Sequence, residues 1–405
     1  MGTFDPDFDA ALGSEASFGL DEPAGLDAPF DLDEPFDRAG TGSSKWARTR
    51  GRPGVIAMGL ADMDLPGPPA VARALAARAA HRAYGYTVCD PAGRELVAHW
   101  YRERHKVAVD PDWVLLLPFG PRTALRLLLA ALAPAGPVLF PTPEWGGFAQ
   151  LCRAAGLAYQ EVPLARDGGG YRLPVGEFAR RRGGAVLLSS PHNPSGRVWS
   201  RAEIRGLAEA AAGHDGVLVS DEVHGDLVHP GRGLRQPVTV DAAGDLAART
   251  VTLNSVGKTF NTSGIPSCFA LVPDPALRSR LTDLMAGYGL WEGGLLEQVV
   301  QRAALRHGGP WLDALLARLD AGGRQLAALL GAAVVSPPQA SYLLWLDAAA
   351  LGLPADRARA ALLERCALEA SDGTDFGPGG HGLLRLNYAL PGPLLSTAIT
   401  RLRTL

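Results

Sequence analysis

The sequence predicts an α/β protein: a large domain with a mostly parallel sheet flanked by helices, joined to a smaller α+β domain. Three observations carry that expectation. Between about residues 110 and 275, short apolar, β-branched runs alternate with segments of helical period. Gly120, Trp145, Asn193, Asp221 and Lys258 all fall at or just past the ends of those runs. Beyond residue 300 the alternation gives way to long helical stretches, two apolar strands and a Gly-rich loop.

The elements follow in order. "WVLLLPFG" reads as a strand stopped by a Gly/Pro turn, and "TALRLLLAALA" follows with helical spacing. "PVLFPTPEW" is strand-like, and "GGFAQLCRAAG" reads as a helix. "AVLLSSPHNPSG" is a strand entering a loop. "SRAEIRGLAEAAAG" opens with a capping box, in which Ser200 accepts from the first turn and Glu203 reaches back. "GVLVSDEV" and "TVTLNSVGK" are two further strands. In the last third, "PWLDALLARLDAGGRQLAALLG" is helical, and "ASYLLWLD" and "LLRLNYAL" are strands. The expected division is an acidic, disordered arm over 1–40, a small domain from 41–75 plus 300–405, and a large domain over 76–299.

Charge and composition exclude several classes. The 405 residues carry a net charge of −3. Residues 1–40 hold eight Asp and three Glu against Arg38 alone, a charge of −10, so the remainder carries +7. Such an acidic, Gly/Pro-containing stretch has little to bury. It lacks the basic start and apolar block of a signal peptide. The most apolar run, "LRLLLAALAPAGPVLF", is interrupted by Arg126, Pro134 and Pro137, so no membrane span is expected. Cys89, Cys152, Cys268 and Cys366 have neither metal nor redox spacing, and no HxxxH pattern occurs among nine histidines. No basic stripe suggests nucleic acid. A cytoplasmic, metal-free protein is the expectation.

In open α/β sheets ligands bind beyond the carboxyl ends of the strands. Residues from five strand ends would therefore meet over one crevice. A lone lysine in the small-residue turn "NSVGKTFN" is then an amine that something approaches closely, rather than a solvated surface charge.

These positions carry a resemblance. "SSKW", "LADMDLPGPP", "YGYT", "SSPHNPSGRVW", "SDEVHGDLV", "GKTFN", "SYLLWLD", "DFGPGG" and "LRLNYA" occur in this order across roughly residues 40–400. The set resembles the fold-type I enzymes that depend on pyridoxal 5'-phosphate, aminotransferase class I/II. Within that class it is most similar to the MalY/PatB-like cystathionine β-lyases, which are C–S lyases.

The resemblance implies a role for each position. Lys258 would join the cofactor aldehyde and later remove the substrate's Cα proton, which requires a neutral amine. Asp221 would keep the pyridine nitrogen protonated. Asn193 would hydrogen-bond the ring's 3′-oxygen and border the substrate, and Trp145 would stack on the ring. Arg385 would clamp the α-carboxylate through a bidentate fork. Ala61, from "LADMDLPGPP", would lie on the substrate side. Tyr86 would act across a homodimer with shared active sites, reaching the neighbouring subunit's phosphate.

Some positions depart from the pattern. Eight residues after the lysine, where the class places Arg, stands Pro266; Gly257 precedes the lysine where Ser is frequent. The turn "FGPR" matches a phosphate-binding helix start, yet Pro121 has no N–H to offer. Arg122, Ser255 and Thr123, with Gly120 at the turn, are therefore the candidates for the phosphate. His224 stands where aminotransferases commonly carry Tyr, and Ala47 where the lyase branch usually has Asp.

The resulting expectation is β-elimination from an L-cysteine S-conjugate, giving thiol, pyruvate and ammonia. Transamination shares the same carbanion and stays open, as does decarboxylating or oxidative deamination of an S-conjugate in natural-product biosynthesis.

Overall fold

The computed structural model describes residues 29–34, 37–38 and 40–405. Its centre is a seven-stranded sheet: β1 Val114–Leu117, β2 Val138–Thr142, β3 Tyr159–Pro163, β4 Ala185–Ser189, β5 Val217–Asp221, β6 Thr250–Asn254 and β7 Cys268–Leu271. Their spatial order is β1-β7-β6-β5-β4-β2-β3. From β6 to β3 every pairing is parallel, and β7 runs antiparallel between β6 and β1. The expected mostly parallel sheet is thus present. Two of its strands were not legible: "YQEVP" alternates without a clear apolar face at the sheet edge, and "CFAL" is only four residues long.

Register positions the site. Ser189 of β4 pairs with Asp221 of β5, and Asp221 pairs with Leu253 of β6. The carboxyl ends of three neighbouring strands therefore lie in one row.

Side chains leave a strand alternately to either face. Ala185 and Leu187 enter one apolar core, under the helices Pro121–Leu132, Gly147–Ala154 and Pro275–Gly287. Val186 and Leu188 enter the other, with the helix Arg201–Ala212, whose capping box between Ser200 and Glu203 is present.

A third core joins the helices Leu295–His307 and Gly309–Leu330 to a small antiparallel sheet. Its strands are β8 Leu343–Asp347, β9 Ser371–Asp372 and β10 Leu383–Asn387, with β10 in the middle. Ile56–Ala57 pairs with Leu368–Glu369, so the segment ahead of the large sheet is tied to the C-terminal third. Of the expected domain limits, residue 75 falls inside the helix Pro69–Ala80 and residue 300 inside Leu295–His307.

The arm expected over 1–40 is corrected at its end. Leu32 is buried and Phe30 packs against the third core. Asp33 accepts from Gly392 N at 2.5 Å and pairs with Arg318 at 2.6 Å. Arg38 reaches Asp62 at 2.7 Å, Asp64 at 2.9 Å and the Met63 carbonyl at 2.8 Å. Asp33's partners, Arg318 and Gly392, lie far along the chain, which is why a local reading of the arm missed them. Residues 1–28 of the arm lie outside the described residues.

Next to this strap, Lys45 is fully buried, 2.9 Å from Asp64 and donating to the Asp62 carbonyl at 3.0 Å. Without Lys45, the buried Asp64 would keep only the partly exposed Arg38 as its cation, and the volume of the lysine stem would be emptied. Lys45→Ala should lower stability by about 3 kcal/mol, read from the urea midpoint. Among the described residues no helix is long and apolar enough to cross a membrane.

Candidate active site

The turn after β6 is held on both sides of its lysine. Ser255 accepts from Gly257 N at 3.0 Å and donates to the Ser267 carbonyl at 2.7 Å. Thr259 donates to the buried Asp226 at 3.0 Å. A Cβ at Gly257 would sit 3.0 Å from Ser255 Oγ and 3.2 Å from Ser263 Oγ, so a larger residue would press on the turn.

Between these anchors Lys258 Nζ donates to the Ala61 carbonyl at 2.6 Å. Burial lowers the amine's pKa, and the Arg385 cation adds to that, against the opposing pull of Asp62 and Asp221. An amine so placed is driven toward its neutral form.

Asp221 ends β5. Burial raises its carboxyl to about 6, opposed by the Val223 N–H at 3.3 Å and by Lys258. Beside it on the same loop, His224 is buried with Nδ1 3.0 Å from Ser341 Oγ. Burial, with Lys258 and Arg385, pushes this imidazole down to about 3, so it is neutral at ordinary pH. Tyr342 lies edge-on to its ring and donates to the Ala61 carbonyl at 3.3 Å.

Arg385, on β10, is buried among neutral acceptors. Its Nη1 donates to Asn193 Oδ1 at 2.9 Å, and its Nη2 to the Gly59 carbonyl at 2.8 Å and Ser371 Oγ at 3.3 Å. The Phe376 ring lies 4.8 Å beneath the guanidinium, whose Nε has no partner among the described residues. Burial lowers its pKa to about 10, still charged at neutral pH. A buried cation with an unused donor is ready to receive an anion.

Trp145 is half-buried, edge-on to Phe148 at 5.5 Å. Two glycines let the chain pass close by: a Cβ at Gly147 would lie 2.3 Å from the indole, and one at Gly146 would lie 2.1 Å from the Asp375 carbonyl.

The structure thus links Lys258, Ala61, Asp221, His224, Asn193 and Arg385 by contact or by field. The remaining candidates stand apart from that set. Gly120 caps the helix Pro121–Leu132, but its carbonyl accepts from Thr123 N at 3.0 Å and Ala124 N at 3.2 Å, which uses those amides. Arg122 is exposed and donates to Gln150 at 2.7 Å. Tyr86 is 94% exposed and edge-on to the Trp291 ring at 5.7 Å.

Several residues were missed. Gly59 acts through its backbone carbonyl, which side-chain identity does not advertise. Asp62 and Tyr342 lie inside quoted motifs, "LADMDLPGPP" and "SYLLWLD", without being singled out. Glu144 stands directly before Trp145, where only a buried carboxylate in an apolar strand end marked it.

The aminotransferase class I and II family model matches residues 53–402. Among curated proteins, cystathionine beta-lyase PatB of Bacillus subtilis is 32% identical over 380 residues, covering 90% of this chain and 97% of that protein. Protein MalY of Escherichia coli is 28% identical and covers 90% and 96%. Among solved structures, a PLP-bound putative aminotransferase from Clostridium difficile superposes with a TM-score of 0.86 at 26% identity, covering 93% of this chain and 99% of its own.

Proposed function

We propose, from the premise that this chain belongs to the aminotransferase class I and II family, that it is a pyridoxal 5'-phosphate-dependent C–S β-lyase. Its substrate is an L-cysteine S-conjugate of the cystathionine kind, released as thiol, pyruvate and ammonia. Amino-acid chemistry rests on one observation: the amine of half-buried Lys258 lies in the field of a buried arginine, Arg385, whose Nε is unpaired among the described residues. Elimination rather than amino transfer is supported by likeness along 90% of the chain to a protein named as a cystathionine beta-lyase.

The residues fit the cofactor. Asp221 is a buried carboxylate whose recorded side-chain hydrogen bond is a long one from an N–H, leaving it able to face a protonated ring nitrogen. Lys258 would carry the covalent link, with Asn193 and His224 beside the ring's 3′-oxygen and Trp145 on its face. Ser255 would serve the phosphate, although in this structure its proton goes to Ser267.

When bound, the cofactor supplies a cationic ring that accepts the electron pair left by Cα–H cleavage. The chain's own residues supply the rest. Arg385 receives the α-carboxylate and so fixes which Cα bond faces the ring. Lys258 would take the Cα proton as a neutral base. Asp221 would hold the proton on the ring nitrogen. The net reaction breaks the Cα–H and Cβ–S bonds and consumes one water, giving thiol, pyruvate and ammonia.

Two parts of the reading concern surroundings. A second copy of the chain would bring its Tyr86 to the phosphate, a homodimer with shared sites. The exposure of Tyr84, Tyr86, Val88, Tyr288 and Trp291 supports it. The cytoplasm is its compartment, consistent with four free cysteines.

Cystathionine and a panel of cysteine S-conjugates, assayed together for pyruvate, free thiol and carbon dioxide, test the reading. Equal thiol and pyruvate without carbon dioxide is expected. A keto acid retaining the sulfur substituent, formed only with an amine acceptor, would make the protein an aminotransferase. Arg122 is kept as a phosphate contact that must leave Gln150 to act. Arg122→Ala should then weaken cofactor retention by roughly 10- to 150-fold, the scale of one charge-assisted hydrogen bond of about 1.5–3 kcal/mol. Unchanged retention on dialysis removes Arg122 from the site.

A further inference from the structure

Glu144 is a buried carboxylate for which the mechanism above has no use. It stands just past β2, 2% exposed. Burying an ionisable group in an apolar interior is costly unless donors compensate. Here three do. Glu144 Oε1 accepts from Trp145 N at 2.7 Å and from Ser189 Oγ at 2.5 Å, and Oε2 accepts from Ser189 N at 3.1 Å.

Each donor leads to a group assigned to the ring or the substrate. Trp145 is the stacking aromatic itself. Ser189 Oγ accepts from Asn193 N at 3.0 Å, and Asn193 Oδ1 in turn accepts from Arg385. The Glu144 N–H donates to the Phe376 carbonyl at 2.9 Å, and the Phe376 ring supports Arg385. Ser189 is also the register partner of Asp221. A single side chain thus ties the end of β2 to the end of β4, and its backbone ties both to the loop beneath Arg385.

We propose that Glu144 is a positioning residue that holds Trp145 and, through Ser189, Asn193 in their orientation toward the cofactor ring. This inference rests on the cofactor assignment above. It does not depend on whether the reaction is elimination or transfer.

Glu144→Gln tests it with minimal change in volume. The amide can keep one oxygen on Trp145 N and Ser189 Oγ, but it then sets an NH₂ against Ser189 N–H, two donors facing each other. A 1 Å misplacement at a reacting group costs on the order of 10²-fold, so kcat should fall by about that factor. The visible circular dichroism of the bound cofactor, which reports ring orientation, should change in the same variant. Ser189→Ala, which breaks the same chain of bonds with a smaller perturbation, should reproduce both effects.

Because Glu144 acts through its neighbours, its effect should be non-additive with theirs: in the Trp145→Ala, Asn193→Ala background Glu144→Gln should add less than about threefold. Additive losses would overturn the proposal, as would an unchanged cofactor dichroism accompanied only by a lower melting temperature. If neither variant folds, Glu144→Asp, with a shorter reach to Ser189, supplies the same readouts. A preparation of the unaltered protein lacking a borohydride-sensitive visible band would instead defeat the cofactor assignment, so the two failures can be told apart.

Discussion

Lys258→Ala is expected to abolish pyruvate release, with a loss of at least about 10³-fold, within the range a positioned proton-transfer group contributes. Two functions disappear together. The covalent link to the cofactor goes, so borohydride no longer fixes the cofactor to the chain. The base that removes the Cα proton goes too, and no neighbour can replace it. His224 is neutral and close, but its Nδ1 is engaged with Ser341 and burial depresses its basicity to about 3. Tyr342 is held far above neutrality by burial. Added methylamine should restore part of the proton transfer but not the link. Pyruvate release at the unaltered rate would remove Lys258 from catalysis.

The second large effect falls on Arg385. Arg385→Ala should cut kcat/KM by roughly 30- to 5,000-fold, since truncating a buried charged partner costs about 2–5 kcal/mol. Most of this should appear in KM, because the guanidinium meets the carboxylate before and during the reaction alike. The variant also strands the acceptors Asn193 Oδ1 and the Gly59 carbonyl. Arg385→Lys should recover little, as an ammonium cannot span Asn193, Gly59 and a carboxylate with a planar fork. A KM within twofold of the original for both variants would show that the α-carboxylate binds elsewhere.

Much of the fold and the heart of the site could be read from the residues. Apolar runs with polar ends located β2, β4, β5 and β6, because a buried parallel strand must be apolar throughout and can present chemistry only where it stops. Lys258, Asp221 and Asn193 were found that way; Arg385 came from resemblance alone. The strand β3 escaped because an edge strand can alternate polar residues, and β7 because four residues carry no period. The ordered end of the acidic arm escaped for a different reason. Asp33 finds its partners in the C-terminal third, over 280 residues further along the chain. Phosphate binding was the least legible part. Thr123 had been a candidate, but its amide already serves the helix cap.

The shared row formed by Ser189, Asp221 and Leu253 limits how this enzyme can diverge. A strand advances about 3.3 Å per residue and turns its side chains over at each step. One inserted or deleted residue within β4, β5 or β6 would therefore withdraw an entire loop from the crevice and reverse its facing. Strand length is closed to evolutionary tinkering, and new sulfur substituents can be accommodated only by rewriting the segments beyond the row.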